Sequence, residues 1–98
     1  MTVVLVIGGS SAVGTMAIQA AKSKGAYVIT TCSTHALRHV QQFHPDDIIN
    51  YEQTKWYEVL SDLDFVYDAI GDVEAPKQIQ SNKKLIKYGM YYVLCIVP

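Results

Sequence analysis

The residues best suited to chemistry stand in one turn, Gly9-x-Ser11-x-x-Gly14, which follows the short apolar run Val3-Val4-Leu5-Val6-Ile7 and precedes a helical pattern. The start of a helix offers unpaired N–H groups and the positive end of a dipole, and both attract a phosphate. Glycines at this spacing, between a buried strand and a helix, form a dinucleotide fingerprint, here with serine at its middle glycine. Gly9 is expected to make the tight turn and Gly14 to let helix and strand pack closely. Ser11 is small and its hydroxyl offers one further donor. Further along, Cys32-Ser33-Thr34-His35 ends a second β-rich run without an acid, and Arg38 follows one helical turn later. An acid there accepts from a ribose 2′-hydroxyl, whereas a 2′-phosphate needs hydroxyls and a cation. The expected cofactor is therefore NADP, with NAD left open. Ser33 is expected at the phosphate, and Thr34 at the cap of the next helix.

These groups need a scaffold, and the chain supplies an unbroken alternation of strands and helices. The run at 3–7 is apolar throughout, as a strand covered on both faces must be. The following helix is expected to bury Val13, Met16, Ala17, Ala20 and Ala21, and Gly25 stops it. A second strand is predicted at 27–31, then a helix with Leu37, Val40 and Phe43 on one side, ended by Pro45. A third strand at 47–51 leads to a short helix capped by Thr54, with Trp56, Val59, Leu60 and Leu63 inward. A fourth strand at 64–71, a weaker helix from Val73 to about Lys84, and a fifth strand at 90–97 complete the series. Such alternation implies right-handed crossovers and a doubly wound, Rossmann-like α/β fold with a parallel sheet of about five strands. The whole chain, 1–98, reads as one such domain.

Composition narrows the function classes. Eight basic and nine acidic residues among 98 give a net charge of −1, too little positive field to hold a nucleic acid. The longest apolar stretches, at 3–7 and 90–98, fall far short of the roughly 20 residues of a membrane span. Two cysteines make no disulfide framework, no secretory leader is expected, and a reducing, intracellular compartment follows. His35 and His39 have a helical metal-ligand spacing, but nothing nearby in sequence completes a site, so no metal is expected. Cys32 and Cys95 read as small core residues, Trp56 as the anchor of its helix, and Asp68 as a partner for backbone at the end of the fourth strand.

Three blocks carry a family likeness. The first is Val4-Leu5-Val6-Ile7-Gly8-Gly9-Ser10-Ser11-Ala12-Val13-Gly14-Thr15 with Ala17-Ile18-Gln19-x-Ala21-Lys22-x-x-Gly25-Ala26-x-Val28-Ile29. The others are Asp46-Asp47-Ile48-Ile49-Asn50-Tyr51 with Asp64-Phe65-Val66-Tyr67-Asp68-Ala69-Ile70-Gly71, and Tyr92-Val93-Leu94-Cys95-Ile96-Val97-Pro98. Together they resemble the coenzyme domain of medium-chain dehydrogenase/reductases, in particular the zinc-independent quinone oxidoreductase branch with its reticulon-4-interacting-protein-like members. The resemblance implies that Ser10, Ser11, Ala12 and Val13 line a pyrophosphate site and that Ser33 and Tyr51 meet the adenosine 2′-phosphate. It implies Ala69, Ile70 and Gly71 beside the nicotinamide ribose, and Ile96 and Val97 near the carboxamide. The family lysine that pairs with the 2′-phosphate falls near Ala36 or Leu37 here, leaving Arg38 or His35 to take its place.

Members of that family carry an N-terminal catalytic domain before this module and a further strand and helix after it. On that comparison the chain is expected to be a cofactor-binding fragment, without the catalytic domain and ending before the last strand. It would be inactive alone, with no catalytic residue of its own. The parent would pass hydride from NADPH to a quinone or enone-type substrate, in the cytoplasm or in mitochondria. The fifth strand is expected to be a hydrophobic sheet edge through which copies associate. Two alternatives stand beside this reading. One is a non-catalytic nucleotide-binding or scaffold module. The other is a short-chain dehydrogenase fragment, whose Tyr-x-x-x-Lys pair Tyr51 and Lys55 mimic, although at a strand end rather than on a long helix.

Overall fold

A computed structural model describes residues 1–87 and 91–93. Five parallel strands, β1 (Val3–Ile7), β2 (Tyr27–Cys32), β3 (Asp47–Asn50), β4 (Phe65–Asp68) and β5 (Tyr91–Val93), form one sheet in the order β3-β2-β1-β4-β5. Four helices connect them: α1 (Ala12–Ser23), α2 (Leu37–Gln41), α3 (Trp56–Val59) and α4 (Glu74–Ser81). The doubly wound, Rossmann-like α/β fold read from the sequence is the fold observed.

Strand alternation sends successive side chains to opposite faces, and two cores result. Val4, Val6 and Val28 meet Ile18 and Ala21 of α1 and Val40 of α2. Leu5, Ile7, Ile29, Ile49 and Val66 meet Trp56 of α3 and Ala75 of α4. β1 lies at the centre, and its last four residues are buried. Its start is tied to the residue before β4: the Asp64 Oδ2 accepts the Val3 amide at 2.8 Å and the Asp64 amide donates back to the Val3 carbonyl at 2.9 Å. Asp46 binds two elements together, accepting the Val28 amide at 2.8 Å and the Lys22 ammonium at 2.9 Å.

Several element details differ from the sequence reading. Helix α1 buries Gly14, Ile18 and Ala21, while Met16 is 69% exposed. Close approach at Gly14 sets the rotation of the helix, and Ile18 becomes its one large inward side chain. Thr34 does not cap α2: a single 3₁₀ turn (Thr34–Ala36) precedes that helix, and the Thr34 hydroxyl accepts from Asn50 instead. Leu37, Val40 and Phe43 do join the core. Helix α3 is one turn long and starts without a side-chain cap; Val59 is exposed, and Leu63 lies beyond it in a parallel bridge to Ile86. The chain leaves the helical path after Val59 because Leu60 is already extended. Helix α4 stops at Ser81 rather than near Lys84, since Asn82 is extended. Of the fifth strand predicted at 90–97, Tyr91–Val93 pairs with β4; Cys95, Ile96 and Val97 lie outside the described residues.

Candidate functional site

Chain order runs outward from β1 through β2 to β3, then crosses back to β4 on the other side of β1. Reversal of direction opens a crevice at the carboxyl ends of β1 and β4, where ligands of open α/β sheets bind. Four segments reach this end: the Gly8–Gly14 turn after β1, Ser33 and Thr34 after β2, Tyr51 and Glu52 after β3, and Ala69–Gly71 after β4.

The turn after β1 folds around Gly8. Gly8, not Gly9, takes the left-handed conformation (φ 84°) that makes the turn, a backbone geometry that favours glycine. Its amide donates to the Thr31 Oγ1 at 3.0 Å. Gly9 instead packs against β2, and its amide donates to the Thr31 carbonyl at 2.9 Å. A Cβ on Gly14 would overlap the Gly8 carbonyl, so Gly14 provides the close helix–strand contact expected of it. The Gly8-Gly9 doublet directly after a buried strand was the available signal for the role of Gly8.

Ser11 is the N-cap of α1. Its Oγ accepts the Gly14 amide at 2.9 Å and donates to the Gly8 carbonyl at 2.9 Å. The hydroxyl proton is thus committed to the turn, and the extra ligand donor expected of Ser11 is not on offer. The amides of Ser10, Ala12 and Val13, by contrast, have no protein acceptor among the described residues. Three donors at the positive end of a 12-residue helix, beside small neutral side chains, fit a pyrophosphate.

At the end of β2, Ser33 is buried, with its Oγ 3.5 Å from the His35 Nδ1. Arg38 is exposed on α2 and has no ion-pair partner among the described residues. His39 is exposed too and packs edge-on against Phe43, ring centroids 5.4 Å apart. The segment 32–35 holds no acid of its own, but one reaches it from elsewhere in the chain. Glu52, from the loop after β3, places Oε1 2.7 Å from the Thr34 amide. Nothing local in 32–35 could reveal it; the parallel register Cys32↔Asn50 brings the two loops together.

Tyr51 is 57% exposed at the neighbouring strand end. With Ile7, Thr31, Trp56, Ile70 and Asp72 it lines a cleft of about 280 Å³ at the carboxyl end of the sheet. A larger apolar cavity, about 380 Å³, is lined by Thr2, Ala17, Ala20, Lys24, Phe65 and Tyr67. It includes the amino ends of β1 and β2 and none of the expected site residues.

The loop after β4 is ordered by a carboxylate. Asp68 is fully buried and accepts from the Ile70 amide (3.1 Å), the Asp72 amide (2.7 Å) and the Tyr91 hydroxyl (2.7 Å). This is the backbone-holding role read from its position in the sequence. Ala69 continues the ladder by donating to the Ile7 carbonyl at 3.0 Å. Ile70 is half exposed and stands over Gly8, where a Cβ would strike its Cγ2. Gly71 turns the chain with φ 67°. The structure therefore brings Gly9–Gly14, Ser33, Tyr51 and Ala69–Gly71 to one end of the sheet, with Arg38 on the adjoining helix; Ile96 and Val97 lie outside the described residues.

Among the described residues, two groups have displaced pKa values. Burial pushes the Cys32 thiol up, which keeps it protonated and unreactive. The hydrogen bond from Lys22, helped by the Val28 amide, holds the Asp46 carboxyl below the usual range.

A parallel sheet with a reversal at β1/β4 and a glycine-rich turn opening α1 at that point defines a Rossmann-type dinucleotide-binding domain. The family model described as "Zinc-binding dehydrogenase" matches residues 12–95, and the chain belongs to that family, within the medium-chain dehydrogenase/reductases and their RTN4IP1-like branch. It is 42% identical over 71 residues to "NAD(P)H oxidoreductase RTN4IP1, mitochondrial" of Danio rerio, covering 69% of this chain and 18% of that protein. It is 35% identical over 95 residues to "Trans-enoyl reductase mycC" of Thermothelomyces thermophilus, covering 92% of this chain and 25% of the relative. The solved quinone oxidoreductase of Coxiella burnetii superposes with a TM-score of 0.70 at 26% identity, over 95% of this chain and 36% of the other. The chain thus spans a quarter or less of the length of these curated relatives. Although the family is named for zinc, no group of three or more His, Cys, Asp or Glu among the described residues is placed to hold a metal ion. Nor is any helix among them long and apolar enough to cross a membrane.

Proposed function

We propose that this chain is the cofactor-binding part of an oxidoreductase that carries hydride from NAD(P)H to a quinone or to the activated double bond of an enone. The observation that carries the reading is the set of amides at Ser10, Ala12 and Val13 that lack an acceptor among the described residues, at the reversal point of the sheet. In this reading those amides and the α1 dipole hold the pyrophosphate. Ala69, Ile70 and Gly71 shape the nicotinamide ribose subsite, a loop whose form Asp68 maintains. Ser33, Arg38 and Tyr51 face the adenosine end and supply hydroxyls and a cation for a 2′-phosphate, which supports NADPH. The bound nicotinamide supplies the hydride; the chain binds and orients. Quinone and enone substrates are supported by the names of the relatives, one a quinone oxidoreductase and one a trans-enoyl reductase.

An intracellular, reducing compartment belongs to the same proposal, supported by the mitochondrial relative. So does self-association through β5, which ends the strand order among the described residues and carries the half-exposed Val93. Binding of NADPH or NADH, followed by nicotinamide fluorescence, tests the core of the proposal. Saturation supports it, and absence of binding at millimolar concentration reduces the chain to a scaffold module of the same fold.

A further inference from the structure

The acid that sequence reading did not find at the end of β2 is present in space. Glu52 Oε1 accepts the Thr34 amide at 2.7 Å, and two further bonds tie the Glu52 backbone and the Thr34 side chain to Asn50. The Asn50 Oδ1 accepts the Glu52 amide at 3.0 Å, while the Asn50 Nδ2 donates to the Thr34 hydroxyl at 2.7 Å. Asn50 thus fixes both partners from the strand next to β2.

In Rossmann-type domains an acid about 20 residues past the fingerprint receives the ribose 2′-hydroxyl. Counting on from Gly14 reaches Thr34, the residue whose amide Glu52 occupies. We propose that Glu52 is the specificity residue of the adenosine subsite: its carboxylate accepts from a ribose 2′-hydroxyl and repels a 2′-phosphate. This rests on the dinucleotide reading above. Glu52 opposes Ser33, Arg38 and Tyr51, so the preference between NADPH and NADH is a balance that one carboxylate tilts toward NADH. The Thr34 amide, a donor that a 2′-phosphate could use, is withheld by the same contact.

The charge acts near the surface, where a like-charged pair a few ångström apart is worth about a factor of ten in affinity. Glu52→Gln keeps an oxygen acceptor for the Thr34 amide and removes only the charge, so thermal stability serves as its folding control. The 98-residue chain and this variant are titrated with NADPH, NADH, 2′,5′-ADP and 5′-AMP, the last two followed by heat. The expected result is a shift of about tenfold toward the 2′-phosphorylated ligand in both pairs, shrinking as salt is raised. An unchanged ratio, with both ligand classes bound, overturns the role of Glu52 and leaves the dinucleotide reading standing. No binding of any of the four ligands to the wild-type chain overturns both.

Discussion

Replacing Ser11 by alanine separates two roles that the sequence leaves entangled, helix cap and ligand donor. In the structure the hydroxyl accepts the Gly14 amide and donates to the Gly8 carbonyl, each at 2.9 Å. Ser11→Ala removes both bonds at once and leaves the amide of a buried glycine without an acceptor. Loss of a serine N-cap costs about 1 kcal/mol, within a range of roughly 0.5–2. For a domain of this size, about 1 kcal/mol lowers the melting temperature by roughly 4–8 °C. Thermal unfolding followed by circular dichroism reads this directly, and Ser11→Thr, which can still cap, is expected to recover most of it. Dinucleotide affinity should change by less than about threefold (under 0.7 kcal/mol), because the hydroxyl proton already points into the turn. A melting temperature unchanged in Ser11→Ala, together with affinity weakened tenfold or more, would refute the cap assignment and return the hydroxyl to the ligand.

Four further outcomes follow from the described contacts. Asp68→Asn replaces one accepting oxygen by an NH2 group that faces one or two of the three existing donors, and a loss on the order of 3 kcal/mol is expected in urea unfolding, with weaker cofactor binding as the β4 loop loosens. The Asp46 carboxyl, held low mainly by Lys22, contributes stability in full above the unfolded carboxylate pKa of about 4. That contribution is lost as the pH falls through the lower folded value, so Asp46→Asn should flatten the acid limb of the stability curve. Cys32, 1% exposed and with its pKa raised by burial, should resist alkylation in the native state and react on unfolding, as peptide mapping by mass would show. Because the unfolded thiol ionises first, stability should also fall as the pH rises through about 8.5. Sedimentation should show concentration-dependent association, weakened by charge placed on β5 at Val93→Lys; a monomer at all concentrations contradicts the sheet-edge interface.

The parts of this fold that sequence made legible are those governed by neighbours in the chain. β1 could be delimited to the residue because burial on both faces leaves an unbroken apolar run ending in glycine. The glycine-rich turn was legible for the same reason, and Gly14 does what its spacing indicated. What escaped depended on partners far away in sequence. Thr34 looked like a cap, but its hydroxyl and amide are taken by Asn50 and Glu52, 16 and 18 residues on. Val59 matched the inward stripe of a helix, yet α3 ends at that residue and the side chain faces solvent, since periodicity does not report where a helix stops. Met16 was expected inward on α1 and Ile18 takes that place instead, because the contact of Gly14 with Gly8 sets the rotation of the helix. The acid beside Thr34 was invisible because a parallel register, not a motif, delivers it.

The central claim is that the turn from Gly8 to Gly14 holds a dinucleotide. Its most direct test is titration of the purified chain with NADPH and NADH, following nicotinamide fluorescence, with Gly14→Val as a variant whose side chain cannot fit against the Gly8 carbonyl. Saturable binding by the wild-type chain and its loss in the variant are expected. Absence of binding of either cofactor up to millimolar concentration, by wild-type chain with the expected melting transition, would contradict the claim.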